Sequence, residues 1–159
     1  MSPVTPAPGG RRRLTTEIKD SLRDLRGQLS MLNRRVGAHL DLKDIDLDCL
    51  DLIHRHGPLG PGAVARRAGL HPATMTGILD RLQRAGWVVR ERDPADRRAV
   101  TVRALRDRSP ELYQLLSGMN SKMDELCAGY DEAELALLAD FLRRTTEAGQ
   151  AATHELAAE

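Results

Sequence analysis

The sequence predicts a mainly helical fold. In it, two short helices joined by a glycine corner run directly into a two-stranded β-hairpin, with longer amphipathic helices before and after. Three observations carry this prediction. Apolar residues recur at alternating spacings of three and four through residues 18–36 and again through residues 112–130. Gly69 and the pair His71-Pro72 punctuate the middle of the chain as a helix end and a helix start. Two short β-prone runs, Trp87 to Arg90 and Ala99 to Arg103, bracket the turn-rich stretch Glu91 to Arg98.

The elements follow in order. Met1 to Arg13 holds three prolines, a Gly pair and Arg11-Arg12-Arg13, the composition of a disordered basic arm. From Thr16, read as an N-cap, Ile18, Leu22, Leu25, Leu29, Leu32 and Val36 form one narrow apolar seam on a helix placed at residues 14–41. Asp44 is expected to cap a second helix with Leu47, Leu50 and Ile53 inside, ended by Gly57-Pro58. A short helix from Pro61 buries Val64, Ala65 and Ala68 and stops at Gly69. The chain restarts at once, with His71 as N-cap and Pro72 at the first helical position, and Met75, Ile78, Leu79 and Leu82 face inward until Gly86. Two short helices with this corner make a helix-turn-helix, and the hairpin after it is a wing, so residues 44–104 form one winged unit. Helices over residues 109–157 complete the chain. Leu112, Leu116, Met119, Met123, Leu126 and Tyr130 form a second seam, and Asp131 with Glu134 makes a capping box for the last helix. These seams are too short for an independent coiled coil and pack as a helical bundle, within one chain or between two.

Length and charge narrow the function. A chain of 159 residues makes one domain with arms, here a domain over 14–159 preceded by the arm 1–13. No run approaches the roughly 18 to 20 apolar residues of a membrane helix, and the first thirteen residues lack the apolar core of a secretory signal, which predicts a cytoplasmic protein with no membrane partner. Residues 55–108 carry 12 Lys/Arg against 5 Asp/Glu, whereas residues 109–159 carry 3 against 10. A basic centre with an acidic tail is what a domain that meets a polyanion shows, because phosphate attraction follows the local field. The alternative is a solvated face on an arginine-rich chain.

Enzyme chemistry finds little support. There is no G-x-S-x-G, no phosphate-cradling glycine loop, no H-E-x-x-H and no Cys/His group at zinc spacing, so neither catalytic residues, a cofactor nor a metal is predicted. His54 and His56 sit two apart on a helix and face different ways. Cys49 and Cys127 are too few for a disulfide framework and lack flanking cations to lower their pKa, and they read as half-buried structural thiols.

The stretch from Leu47 to Val102 resembles the MarR family of winged-helix transcription regulators. The residues that carry the resemblance are Gly57-Pro58-Leu59, Gly69 through Thr76, Leu79-Asp80-Arg81-Leu82, Gly86-Trp87-Val88 and, most specifically, Asp93-Pro94-Ala95-Asp96-Arg97-Arg98. The resemblance covers about residues 14 to 156. It implies a winged helix-turn-helix flanked by N- and C-terminal dimerisation helices, a homodimer acting as a repressor on double-stranded DNA, each winged unit reading one half-site of a pseudo-palindrome. It also implies release by a small, often aromatic or anionic, effector in the cleft beside the dimer helices, for which position alone suggests His39, Arg34 or Arg35. With the inner face of the second short helix assigned, Pro72, Ala73, Thr74, Thr76, Gly77, Arg81 and Arg84 remain for DNA, and Arg97 and Arg98 join them from the wing. Threonine methyls suit thymine methyls, a helix N-terminus suits a phosphate, and Arg97 suits a narrow minor groove. Arg98 either touches phosphate or pairs with Asp93 or Asp96, and Asp80 is expected to order a wing arginine. Two departures from the pattern stand out. Gly77 replaces an arginine that many members carry, and Ala104 to Pro110 replaces a Leu-Thr-x-x-Gly run. The readings of another class are a winged-helix protein-interaction adaptor, or a ligand sensor without specific DNA binding.

Overall fold

The computed structural model describes residues 8–158. In chain order the elements are α1 (Pro8–Leu40), α2 (Asp44–His56), α3 (Pro61–Ala68), α4 (Pro72–Arg84), β1 (Val88–Arg92), β2 (Val100–Ala104), α5 (Ser109–Cys127) and α6 (Glu132–Ala157). They divide into two compact units, one running through Tyr113 and the other from Gln114 onward.

Helix α1 starts earlier than the sequence reading places it. Residues 8–13, read as part of a disordered arm, are helical; residues 1–7 lie outside the described residues. Pro8 stands at the first helical position, where its missing N–H is harmless, and arginine is a good helix former. Thr16 is consequently not a cap. Its hydroxyl donates to the Arg12 carbonyl (3.1 Å), as Thr15 does to Arg11 (2.9 Å), inside a continuing helix. At the other end the Leu42 N–H donates to the Gly37 carbonyl (2.8 Å) and Asp41 takes a left-handed φ of 54°. A Cβ at Gly37 would lie 2.7 Å from the Leu42 carbonyl oxygen, so only glycine permits this corner.

The core of the first unit is built from α2, α3, α4 and the wing. Leu47, Leu50, Ile53, Val64, Ala65, Met75, Ile78, Leu79, Leu82, Trp87, Val88 and Val102 are all buried. Each large side chain so removed from water contributes about 1.5–3 kcal/mol before chain entropy is counted. Helix α2 is capped one position earlier than expected, at Lys43, whose N–H donates to Asp46 Oδ2 (3.4 Å). The tight corner between α3 and α4 rests on Gly69, whose φ of 66° lets the Leu70 N–H reach back to the Ala65 carbonyl (2.9 Å).

The wing is an antiparallel hairpin with Val88 opposite Ala104 and Arg92 opposite Val100. Leu59, in the α2–α3 connection, pairs with Val102 from the other side, with N–H to carbonyl distances of 3.0 and 2.7 Å. In the second unit, α6 opens with the expected capping box: Glu134 N–H donates to Asp131 Oδ1, and Asp131 N–H to Glu134 Oε2, both at 2.9 Å. No described helix is long and apolar enough to cross a membrane.

Candidate nucleic-acid interface

The N-terminal end of α4 is held open by its own cap. His71 Nδ1 accepts the Ala73 N–H (3.2 Å), the His71 carbonyl accepts the Thr74 N–H (3.0 Å), and Pro72 has no N–H to satisfy. No acidic residue lies in the first turn, so the positive end of the helix dipole is uncompensated. Pro72, Ala73, Thr74 and Thr76 are exposed and Gly77 is half-buried. The Thr76 hydroxyl donates to the Pro72 carbonyl (3.3 Å), whereas no partner for the Thr74 hydroxyl exists among the described residues. The edge on offer is therefore apolar methyls, one hydroxyl and a positive helix end.

The surrounding arginines sort into two groups. Arg81 donates through Nε (3.1 Å) and Nη2 (2.7 Å) to Asp46, a carboxylate that is only 1% exposed. That pairing raises the guanidinium pKa further and turns the fork toward α2. Arg90 binds Asp80 and donates to Gln83 Oε1 (2.7 Å), which ties β1 to the outer face of α4. Arg103 is bidentate on Glu91 across the hairpin, and the pairing holds the Glu91 carboxyl below its usual range. Arg66, Arg67, Arg84, Arg92, Arg97 and Arg98, by contrast, have no carboxylate partner among the described residues and are exposed.

The wing tip explains its own arginines. Asp93 Oδ1 accepts the Ala95 N–H (2.8 Å) and Asp96 Oδ1 accepts the Arg98 N–H (3.0 Å), so both acids close local turns. Of the two readings of Arg98, contact with phosphate or pairing with Asp93 or Asp96, the structure does not show the pairing. The acids fix the backbone, and the guanidinium groups of Arg97 and Arg98 face solvent.

Residues 45–100 match the profile of the MarR family. A transcriptional regulator of Bacillus subtilis, YcgE, is 30% identical over 117 residues, which is 74% of this chain and 76% of the relative. The chain belongs to the MarR family. The repressor YetL of the same organism is 31% identical over 54% of each chain. Among solved structures, that of MarR itself is 26% identical and covers 83% of this chain and 96% of its own, with a TM-score of 0.57. A MarR-family protein of Bacillus stearothermophilus, 19% identical, covers 87% of this chain and 97% of its own at a TM-score of 0.66, a likeness of fold. This is a family of transcriptional regulators, not of enzymes.

Set against the MarR pattern, the geometry changes several sequence expectations. Arg81 belongs with Asp46 and fastens α4 to α2. Asp80 does order a wing arginine, and that arginine is Arg90. None of the cleft candidates His39, Arg34 and Arg35 lines the cavity that the first unit forms beside α2 and the β2–α5 segment; His39 Nδ1 instead lies 2.8 Å from the Arg35 carbonyl oxygen. That cavity, of about 670 Å³, is lined by Ile53, His54, Gly57, Pro58, the segment Arg103 to Asp107, Ser109 and Tyr113. His54 Nε2 is buried without a partner there, and burial, with Arg106 nearby, lowers its pKa despite Asp51. Cys49 is buried and its thiol is pushed up to about 11, chiefly by burial, whereas Cys127 is exposed, not half-buried. The sequence reading also passed over Arg66, Arg67 and Arg92. For Arg66 and Arg67 the signal was present, as outward positions of the helix from Pro61; Arg92 was read as part of the turn, whereas β1 extends to it.

Proposed function

We propose that this regulator is a cytoplasmic homodimeric repressor. The N-terminal end of α4 enters the major groove of each half-site of a pseudo-palindromic operator, and the wing tip reaches the adjacent minor groove. The observation that supports this best is the sorting of cations. Arg81, Arg90 and Arg103 are neutralised by carboxylates, while Arg84 at the C-terminal end of α4 and Arg97 and Arg98 on the wing tip are exposed and have no such partners among the described residues. Phosphates would supply the missing counter-charge and the α4 edge the base contacts. Arg66 and Arg67 at the end of α3 suit phosphates as well.

The long helices support a dimer. Ile18, Leu25 and Leu29 of α1, Leu126 of α5, and Leu137, Leu138, Phe141 and Leu142 of α6 are each at least 40% exposed in the single chain. Monomeric proteins seldom leave that much apolar surface in water. Two reading helices then address half-sites about one helical turn, roughly 10 base pairs, apart. For release, the His54 cavity suits a small aromatic or anionic effector: its volume is that of a small-molecule site, and Arg103, Arg106 and Tyr113 offer cationic and hydroxyl groups.

The test is fluorescence anisotropy with the DNA upstream of the gene and with random DNA of equal length, at several salt concentrations. Binding to the native fragment that is tighter and survives rising salt is the expected outcome. Equal, salt-sensitive binding to both would refute specific recognition and favour an adaptor role.

A further inference from the structure

One guanidinium joins three elements of the first unit. Arg108 lies in the segment Ala104 to Pro110, where this chain departs from the usual family run. Its guanidinium carbon is 4.2 Å from the centroid of the Trp87 ring. Nη1 donates to the Ala85 carbonyl (2.8 Å), and Ala85 is the C-cap of α4. Nε and Nη2 donate to Glu111 at 3.0 and 2.8 Å, and Glu111 stands in the first turn of α5. The ring beneath is itself fixed. Trp87 is fully buried, its backbone N–H donates to the Leu82 carbonyl (2.9 Å), and its backbone carbonyl accepts the Leu105 N–H (2.8 Å).

Only an arginine makes this joint. A planar fork presents one edge to a carbonyl, another to a carboxylate and its face to an aromatic ring, whereas a lysine ammonium is a point charge with no face. The three contacts lie at the end of the reading helix, at the entrance to the wing and at the start of α5. The β2–α5 segment itself brings only the Leu105 and Ser109 N–H groups to backbone carbonyls, those of Trp87 and Arg106.

We propose that Arg108 is a positioning residue that locks the first turn of α5 to the C-terminal end of α4 and thereby sets the half-site spacing the dimer accepts. This rests on the two-half-site reading above. A residue needed only for stability would, when changed, weaken binding to every spacing alike. A residue that holds an angle would, when changed, broaden the choice of spacing.

The experiment uses the full chain in wild-type, Arg108→Lys and Glu111→Ala forms, the second variant keeping the guanidinium on Trp87 while removing the carboxylate tether. A spin label at Arg66→Cys on exposed α3, in a Cys127→Ser background, gives the distance distribution between the two winged units by electron–electron resonance. The expected result is a narrow distribution for wild type and a broader one for both variants. In parallel, a duplex selected from a random library by the wild-type protein is remade with one or two base pairs inserted between half-sites. Wild type should lose about tenfold in affinity per insertion and Arg108→Lys less than about threefold. Equal distance distributions for the three proteins would overturn the proposal, even if DNA affinity falls. No dipolar signal from wild type would overturn the dimer reading and this inference with it. If no duplex is enriched, specific recognition fails, and the distance distributions alone decide whether Arg108 holds the joint.

Discussion

Replacing Arg81 with alanine separates two roles that the sequence merges. If Arg81 meets DNA, its loss weakens binding and leaves the fold intact; if it holds α4 on α2, the fold suffers first. The structure argues for the second. Asp46 is 1% exposed and accepts two hydrogen bonds from Arg81, at 3.1 and 2.7 Å, so the alanine variant strands a buried carboxylate with only the long Lys43 N–H contact at 3.4 Å. Breaking a fully buried pair costs about 3–5 kcal/mol. Because the Arg81 side chain is 38% exposed, water partly replaces it, and we expect about 2–3 kcal/mol. For a chain of this size that is a fall in Tm of about 5–10 °C. Asp46→Asn should cost less, since the half-exposed guanidinium can turn to solvent. The assay is thermal unfolding followed by circular dichroism at one fixed protein concentration, because dimerisation would make Tm concentration-dependent. A Tm within about 1 °C of wild type, together with a DNA salt slope reduced by about one, would refute the reasoning and return Arg81 to the DNA surface.

The remaining predictions concern the edge, the helix interior and the cavity. Arg97→Ala should leave Tm unchanged and reduce the salt slope of DNA binding by about 0.9, whereas Thr74→Ala should mainly narrow the gap between native and random DNA; parallel titrations check both. Gly77→Ala should raise stability by about 0.5–1 kcal/mol. A Cβ there meets nothing closer than Arg81 Nη1 at 3.6 Å, and a lower Tm would show a hidden constraint. His54 has a folded pKa lowered by burial from the ordinary 6.5, so its contribution is fully present above that pH and is lost as pH falls through the folded value. Urea midpoints measured from pH 8 to 5 should therefore fall on the acid side for wild type and stay flatter for His54→Gln.

Much of the winged unit was legible because its signals are local. His71, Pro72 and Gly69 act within one turn of where they stand, and the inward residues of α4 follow from helical spacing alone. What the sequence hid was long-range. Nothing in the spacing of Asp46 and Arg81, 35 residues apart, says that they meet, and an outward-looking arginine was assigned to DNA by default. The Leu59–Val102 pairing was hidden for the same reason. Capping failed where a competing acceptor won: Thr16 resembles a cap, but its hydroxyl donates back to the Arg12 carbonyl within a helix that had already begun at Pro8. At the wing tip one of the two partners read for Arg98 falls away, since aspartates in turns favour backbone N–H groups close at hand over flexible guanidinium groups.

The pairing of Leu59 with Val102 has a consequence for solubility. It makes β2 a middle strand, hydrogen bonded on both sides, and leaves β1 as the edge. An open edge invites a strand from another molecule, and successive uncharged residues there would let copies zip together into aggregates. Along β1 the chain places Arg90, Glu91 and Arg92, so any strand approaching that edge must desolvate three charges in a row. Charges that look like part of a DNA-binding surface thus also act as a guard against self-association, and variants that neutralise them to probe recognition would put that guard at risk.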